Sequence, residues 1–232
     1  MEVKNKVVIV TGASEGIGKA AAEALHAQGA KVVLAARSDD KIQALAKALP
    51  GSLGVRADLR READIRALVD ATLKAHGRID ILVNNAGQGL YGPVETVNSD
   101  EYRSMVDLNV FGPLTAMQLV IPVMKNQGGG MIVNVSSMVS KNAFPYLGAY
   151  ASTKYALNAL SMTARAELAA DKVVVSLLHP RMTATRFGEN SLGVKLNLSS
   201  RGGSPIPVDT PEQVAQKLLE LIATEAAEAT MP

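Results

Sequence analysis

Short apolar, β-branched runs alternate with alanine-rich stretches through most of the 232-residue chain. A run that is apolar at nearly every position is typical of a strand buried on both faces of a parallel sheet. The chain contains six such runs, at residues 7–10, 31–36, 53–57, 79–83, 131–136 and 173–178. The stretches between them have helical length and pattern, at about residues 17–28, 39–49, 62–76, 99–126 and 150–170. This alternation predicts an α/β fold with a mostly parallel, doubly wound sheet flanked by helices.

The region after the sixth run departs from this alternation. Residues 185–210 are rich in Gly, Ser, Asn and Pro, and predict a long loop that forms part of a substrate pocket. Thr210, Pro211 and Gln213 have the spacing of a helix N-terminal capping box. We therefore expect a helix over residues 210–223.

The last residues carry no strand pattern. Residues 224–232 are mostly Ala, Glu and Thr, so we expect a frayed tail and a missing seventh strand. Because no Pro- or Ser-rich linker divides the chain, residues 1–232 are predicted to form a single domain.

Composition and charge exclude several classes of function. Lys and Arg number 24 against 22 Asp and Glu, a net charge of +2, which does not favour nucleic acid as a partner. The chain has no cysteine and three widely separated histidines, so we expect no metal site and no thiol chemistry. No apolar run approaches the roughly 20 residues of a membrane span. We expect a soluble, cytoplasmic protein with no membrane partner.

A glycine-rich turn, Thr11-Gly12-Ala13-Ser14-Glu15-Gly16-Ile17-Gly18, directly follows the first predicted strand. Glycines let the backbone turn tightly and approach a ligand, and the following helix N-terminus attracts phosphate. Alone, the cluster is also compatible with a simple tight turn. Its place in a βαβ unit favours a Rossmann-type dinucleotide site. The candidate cofactor-binding residues of this turn are Gly12, Ser14, Glu15, Gly16, Ile17 and Gly18.

The end of the second predicted strand bears on the choice of cofactor. An acidic residue at this place binds the ribose of NAD, whereas an Arg nearby accommodates the 2′-phosphate of NADP. The chain has Arg37 followed by Ser38 and lacks the acid. NADP(H) is therefore favoured over NAD(H). Alternatively, Arg37 is a solvated residue at a strand end and the cofactor is NAD.

Together with motifs further along, this turn resembles the short-chain dehydrogenase/reductase family. The resemblance covers about residues 5–186. It rests on motifs in the family's order: Thr11–Gly18, Asp58, Asn84-Asn85-Ala86-Gly87, Asn109, Ser137 and Tyr150-x-x-x-Lys154. It implies an oxidoreductase that interconverts a ketone or aldehyde and an alcohol, with carbonyl reduction as the expected direction.

The chemistry of the last motif follows from its spacing. Residues four apart share a helix face, so Tyr150 and Lys154 are expected side by side. A neighbouring ammonium stabilises a phenolate and lowers its pKa, which suits Tyr150 to act as the acid or base. Ser137 ends a predicted strand, where its hydroxyl either stabilises charge on the substrate oxygen or caps a turn.

Further roles are implied by the resemblance alone. Asn109 holds a water in a proton relay to Lys154, and both Tyr150 and Lys154 contribute to the nicotinamide end of the cofactor site. Asp58 contacts the adenine with Leu59 beside it, although Asp58 alone also suits a helix cap. The other implied cofactor contacts are Asn85, Ala86, Gly87, Thr183 and Thr185, whereas Asn84 is expected to be a strut in the sheet.

The sequence departs from the family at Arg181, which replaces the usual glycine after Pro180 and adds a cation near the cofactor. The missing seventh strand puts a tetramer in doubt, so we expect a homodimer formed through the helices at 99–126 and 150–170. The substrate is expected to be a small, moderately apolar carbonyl or alcohol compound, with Phe144, Tyr146 and Gln88 in its pocket. An NAD-dependent alcohol dehydrogenase and a non-catalytic, dinucleotide-sensing protein are the alternatives.

Overall fold

Seven parallel strands form one sheet in the computed structural model of the chain, which describes residues 1–194 and 207–231. The strands are β1 (Val7–Thr11), β2 (Lys31–Ala36), β3 (Leu53–Arg56), β4 (Ile81–Asn84), β5 (Gly130–Val135), β6 (Val173–His179) and β7 (Glu228–Thr230). Their order across the sheet is β3-β2-β1-β4-β5-β6-β7, and every neighbouring pair is parallel. The chain winds outward from β1 in one direction, then returns to β4 and winds in the other. This is the doubly wound α/β fold that the sequence predicts.

Helices cover both faces of the sheet. They are α1 (Gly16–Ala27), α2 (Asp39–Ala48), α3 (Glu62–His76), α4 (Ser99–Val106), α5 (Gly112–Asn126), α6 (Gly148–Glu167) and α7 (Pro211–Thr224). Side chains alternate between faces along each strand. Val8 and Val10 of β1 therefore pack in a core with residues of α1, α2 and α7, while Val7 and Ile9 pack in a second core with residues of α3 and α5.

The predicted helix at 99–126 is formed, with one local change. A π-helical turn, Asp107–Phe111, joins α4 to α5 and buries Asn109 completely. By length and composition this helix could cross a membrane, since its most apolar 18-residue window has a mean hydropathy of 1.4. The search of the sequence for an uninterrupted apolar run did not identify this helix. Met117, Val120 and Met124 lie in the core on one face of the sheet, and 44% of the window is buried, so packing in the domain accounts for part of the helix's apolar character.

The prediction that the seventh strand is missing is wrong. Residues Glu228–Thr230 form β7, which pairs with Leu177–His179 at the edge of the sheet. The segment is short and has little β-branched character, so its sequence alone does not indicate a strand. Hydrogen bonds from elsewhere in the chain hold it. The Arg165 guanidinium donates to the carbonyl oxygen of Glu225, and the Ser176 hydroxyl donates to that of Ala226.

The connection before α7 begins with a small second sheet, in which Leu192–Gly193 pairs with Leu90–Tyr91. Residues 195–206 of the predicted loop lie outside the described residues. The described structure resumes at residue 207. The Thr210 hydroxyl accepts a hydrogen bond from the Gln213 amide, and the Gln213 side chain accepts one from the Thr210 amide. This is the capping box that the sequence indicates, and α7 begins there.

Candidate active site

A cleft of 990 Å³ opens at the carboxyl ends of the strands, where the winding direction reverses between β1 and β4. Ligands of doubly wound sheets bind at this position. The cleft is lined by the predicted site residues Gly12, Ser14, Glu15, Gly16, Ile17, Arg37, Asp58, Leu59, Asn85, Ala86, Gly87, Ser137, Tyr150, Lys154, Thr183 and Thr185. Gly18 and Asn109 lie behind its wall. The fold thus brings residues from distant parts of the sequence to one surface.

The glycine turn after β1 is closely packed against the segment after β4. Gly12 has a φ of +67°, and a side-chain carbon there would lie 2.9 Å from the Ala86 Cα atom. A side-chain carbon at Gly18 would lie 2.2 Å from the Gly12 carbonyl oxygen. Each position therefore requires glycine, Gly12 for its backbone conformation and for space, and Gly18 for space alone.

The Thr11 hydroxyl holds these two segments together. It accepts hydrogen bonds from the backbone amides of Asn85 (3.0 Å) and Ala86 (3.1 Å), and it donates to the Val83 carbonyl oxygen. The Asn85 side chain returns a bond to the Thr11 carbonyl oxygen at 2.9 Å. The sequence prediction placed Asn85 against a ligand, but its side-chain amide is used mainly to fix the glycine turn.

The glycine turn has the shape and polarity of a diphosphate site. Gly16 and Ile17, at the N-terminus of α1, line the cleft without presenting a long side chain. A helix N-terminus stabilises a nearby anion. The Glu15 carboxylate points to other partners, accepting from Lys41 at 3.2 Å and from the Asn190 side chain at 2.8 Å. This glycine cradle, formed by residues 12–18, therefore fits the diphosphate group of a dinucleotide.

One end of the cleft carries the basic residues expected beside a 2′-phosphate. Arg37 and Ser38 follow β2 and line the cleft, and Lys41 lies one helical turn further on α2. Lys41 was not predicted from the sequence; it lies in the first turn of α2, whose start at Asp39 brings it to the cleft beside Arg37. Asp58 lines the cleft as predicted, but its carboxylate is paired with the Arg60 guanidinium at 2.7 Å. That hydrogen-bonded pairing holds the pKa of the Asp58 carboxyl below its ordinary value.

Tyr150 and Lys154 lie near the opposite end of the cleft, on one face of α6. Both are buried, with 7% and 4% of their surfaces exposed. The Lys154 ammonium donates to the Val135 carbonyl oxygen at 2.9 Å and lies 5.9 Å from the centre of the Tyr150 ring. The Tyr150 ring is flanked by Tyr91 and Phe187, with ring centres 6.4 and 5.6 Å away.

The predicted lowering of the Tyr150 pKa is wrong for this structure. Burial raises the pKa of the Tyr150 phenol well above its ordinary value, and nearby Tyr91 raises it further, whereas a hydrogen bond with Ser137 lowers it. Burial also lowers the pKa of the Lys154 ammonium to about 8. The spacing of the two residues indicated their proximity, but not that both groups would be buried, which favours the neutral form of each.

Ser137 lies between β5 and the short turn Met138–Ser140, facing the Tyr150 phenol. Its hydroxyl oxygen accepts from the Val139 amide at 3.3 Å, so the turn-capping role and the position at the cleft coexist.

Asn109 is tied to the backbone rather than exposed to a ligand. Its side chain donates to the Gln88 carbonyl oxygen at 2.8 Å and accepts from the Gln88 amide at 2.9 Å. It also donates to the Thr153 hydroxyl at 3.1 Å. Asn109 therefore fixes the residue after Gly87 against α6, next to Lys154, and its implied relay role stays a prediction.

Arg181 forms a two-pronged ion pair with Asp209 instead of standing as a free cation beside the cofactor site. Its guanidinium donates to both carboxylate oxygens of Asp209, at 2.6 and 3.1 Å, and Asp209 is buried. The backbone of Asp209 also bonds to Met182 and Ala184. This clamp fixes the segment with Thr183 and Thr185. Asp209 could not be predicted from the sequence, because it lies 28 residues from its partner Arg181.

The wall around Tyr150 is apolar. Of the residues predicted for the substrate pocket, Phe144 and Gln88 line the cleft, but exposed Tyr146 does not. The apolar lining residues packed around Tyr150 are Tyr91, Val139, Leu147 and Phe187, and Met182 and Val208 also line the cleft. Tyr91 was not predicted, since its two-residue strand has no sequence signal.

Comparison with known proteins agrees with this geometry. The family model for short chain dehydrogenases matches residues 6–192. An uncharacterized oxidoreductase of Methylorubrum extorquens is 38% identical over 199 residues, covering 83% of this chain and 79% of the relative. The chain belongs to the short-chain dehydrogenase/reductase family.

Two solved structures are similar over nearly the full length. The 3-ketoacyl-(acyl-carrier-protein) reductase from Brucella melitensis, complexed with NADH, is 30% identical with a TM-score of 0.89, covering 99% of this chain and 97% of that one. The alcohol dehydrogenase from the archaeon Thermococcus sibiricus, complexed with 5-hydroxy-NADP, is 28% identical with a TM-score of 0.85, covering 97% and 95%.

We expect Gly18→Ala to weaken nicotinamide dinucleotide binding by at least about 10-fold, since the new methyl group would displace the Gly12 carbonyl and the turn around it. Binding can be followed by nicotinamide fluorescence. Gly92→Ala is the control, because Gly92 does not line the cleft and a side-chain carbon there would meet only Val97, at an ordinary contact distance of 3.9 Å. Equal affinities for the two variants would contradict the assigned cradle.

Proposed function

We propose that residues 1–232 act as one oxidoreductase domain that uses NADP(H) to reduce a ketone or aldehyde to an alcohol. The observation that carries the proposal is the arrangement of a single cleft. Tyr150, Ser137 and Lys154 meet at one end, the glycine cradle lies in the middle, and Arg37 stands at the other end. The cofactor-bound neighbours, one with NADH and one with 5-hydroxy-NADP, support a nicotinamide dinucleotide in this cleft.

When bound, the reduced nicotinamide supplies the hydride that adds to the carbonyl carbon. Tyr150 donates its phenolic proton to the carbonyl oxygen, which receives the electron pair of the C=O bond. The Ser137 hydroxyl donates a hydrogen bond to the same oxygen and stabilises the developing charge. Because burial raises the pKa of Tyr150, the residue stays protonated at neutral pH. That protonation state favours reduction over oxidation.

Lys154 stabilises the Tyr150 phenolate that proton donation leaves behind. The Lys154 ammonium is held in position by its hydrogen bond to the Val135 carbonyl oxygen. Reprotonation of Tyr150 passes through Lys154 and a water near Asn109. Thr183 and Thr185 bind the nicotinamide amide, on the segment that the Arg181–Asp209 clamp fixes.

Assembly and location form a separate part of the proposal. Phe111, Tyr155 and Met162 are large apolar side chains exposed on the π-turn and α6, by 55%, 48% and 43%. We propose that this face forms a homodimer in the cytoplasm. A tetramer was placed in doubt because the seventh strand was expected to be missing. Since β7 is present, this reason no longer holds.

Tyr150→Phe tests the catalytic assignment. We expect turnover of a ketone or aldehyde to fall about 10²–10⁴-fold, because the phenolic proton is the general acid. Affinity for NADPH should change little. The matched control is Tyr155→Phe on the same helix, which removes the hydroxyl of a tyrosine that lies outside the cleft, on the proposed dimer face. Unchanged turnover in Tyr150→Phe would contradict the mechanism, and a wild-type protein that binds NADPH but reduces no compound would support the dinucleotide-sensing alternative.

Arg37→Asp tests the cofactor preference. Loss of one charge-assisted hydrogen bond to phosphate should weaken NADPH binding about 10- to 100-fold and leave NADH binding unchanged or tighter. Direct titration is simple because the chain has no tryptophan to compete for excitation. The Glu15 carboxylate pairs with Lys41 and so reduces the positive charge at the end of the cleft where Arg37 lies. Wild-type protein that binds NADH as tightly as NADPH would favour the NAD-dependent alternative.

The pKa of Lys154 sets the expected pH dependence. Because burial lowers that pKa to about 8, the ammonium is charged below pH 8 and neutral above it. We expect the rate of carbonyl reduction to be highest below pH 8 and to fall at higher pH, as the phenolate loses its neighbouring cation. Lys154→Arg should move this decline to higher pH, since a guanidinium stays charged. A profile that rises between pH 7 and 9 would contradict the assignment.

A further inference from the structure

A buried polar cluster lies directly behind Ser137, and the proposed reaction does not use it. Its members are Ser136, Ser140, Asn158 and His179, which come from the end of β5, the turn after it, α6 and the end of β6. Ser136 and Ser140 are 3% exposed and His179 is fully buried. Burying this many polar groups is unfavourable unless each is hydrogen-bonded.

The hydrogen bonds of the cluster run in one direction. The Ser136 hydroxyl donates to the Asn158 side-chain oxygen at 2.6 Å. This fixes the amide so that its NH₂ group donates to the Ser140 hydroxyl oxygen at 2.9 Å. Ser140 in turn donates its only hydroxyl proton to the Ser137 carbonyl oxygen at 2.6 Å. The sequence of donors therefore ends on the backbone of Ser137.

His179 closes the cluster from the other side. Its Nδ1 atom lies 3.4 Å from both the Ser140 hydroxyl and the Ser137 carbonyl oxygen, and its Nε2 atom lies 3.1 Å from the Glu228 carboxylate. Glu228 belongs to β7 and also pairs with Lys141 at 2.7 Å. The imidazole thus confines Ser140 between α6 and the edge of the sheet.

The Ser137 backbone determines where its hydroxyl points. The Ser137 carbonyl oxygen also accepts from the Ser140 amide at 3.0 Å, while the Ser137 hydroxyl oxygen accepts from the Val139 amide. The amide occupies one side of the hydroxyl oxygen and leaves its proton free to point toward Tyr150. A shift of the turn would move this hydroxyl away from the phenol.

We propose that Ser140 is a positioning residue for the proposed carbonyl reduction, acting through the backbone of Ser137 and held in place by Asn158 and His179. The inference rests on the proposed function, since it concerns the same site. Ser140 does not touch the substrate. Its hydroxyl keeps the Met138–Ser140 turn in the geometry that directs the Ser137 hydroxyl to Tyr150.

The test compares Ser140→Ala with Ser161→Ala. Ser161 is equally suited as a control because its hydroxyl is also buried and donates to a backbone oxygen at 2.6 Å, yet it bonds to Asn134 and Leu157 and not to Ser137. We expect kcat to fall about 3- to 10-fold in Ser140→Ala, the worth of one hydrogen bond, with NADPH affinity unchanged. Ser161→Ala should keep wild-type kcat even if its thermal stability falls as much.

Two more readouts separate positioning from general stability. The hydrogen bond with Ser137 lowers the pKa of Tyr150. In alcohol oxidation Tyr150 acts as the base, so the rate rises with pH as Tyr150 loses its proton. Loss of the Ser137 hydrogen bond in Ser140→Ala should therefore move this rise to higher pH, and Ser161→Ala should not move it. Ser140→Thr restores a hydroxyl donor and should recover turnover. Equal kcat and equal pH profiles in Ser140→Ala and wild type would overturn the proposal.

Hydrogen exchange measured by mass spectrometry keeps the proposal testable without turnover. Ser140→Ala should increase amide exchange in residues 137–141, while Ser161→Ala should leave that peptide unchanged. Unchanged exchange in Ser140→Ala would overturn the inference by itself. A wild-type protein that reduces no carbonyl compound would contradict the proposed function instead, and the exchange comparison would still report whether Ser140 holds the Ser137 turn.

Discussion

The Thr11 hydroxyl is the interaction on which the site most depends. It joins β1 to the segment after β4 at the point where the sheet reverses its winding, and so fixes the glycine turn against Asn85 and Ala86. Parallel strands already bring their carboxyl ends to one edge. Without this hydroxyl, the glycine turn and the segment after β4 would keep only the sheet pairing and the hydrogen bond from the Asn85 side chain to the Thr11 carbonyl oxygen. One buried side chain thus fixes the glycine turn against the segment that follows β4.

Burial decides the protonation states at that catalytic end. The sequence motif suggests that an ammonium beside a phenol makes a phenolate, but both groups are enclosed by the sheet, α6 and the aromatic rings of Tyr91 and Phe187. Each loses hydration, so each is driven toward its neutral form. A neutral phenol beside an easily deprotonated amine is a pair suited to passing a proton, which agrees with the direction of reaction that we propose.

Much of the fold was predictable because buried strands and their helices have strong patterns. Six strands, the helices between them and the capping box at Thr210 all follow from residue type and spacing. The features that could not be predicted from the sequence depend on contacts between residues that are distant in the chain. Strand β7 is held by Arg165 and Ser176, and Asp209 becomes part of the site only through Arg181. Tyr91 was missed because a two-residue strand has no periodicity to detect.

The Arg181–Asp209 clamp has a consequence for how this protein can change. It closes the connection between β6 and α7 at its base, so the two ends stay fixed whatever lies between Thr185 and Asp209. Closing a loop of different length costs little additional entropy when its ends are already held. Apart from Phe187, which packs against Tyr150, and Leu192–Gly193, which pairs with Leu90–Tyr91, the intervening residues can therefore vary in length and composition while the segment beside the cofactor keeps its place. For the reduction that we propose, new substrate preferences can arise there, by mutation or by grafting, without changing Tyr150, Ser137 or Lys154.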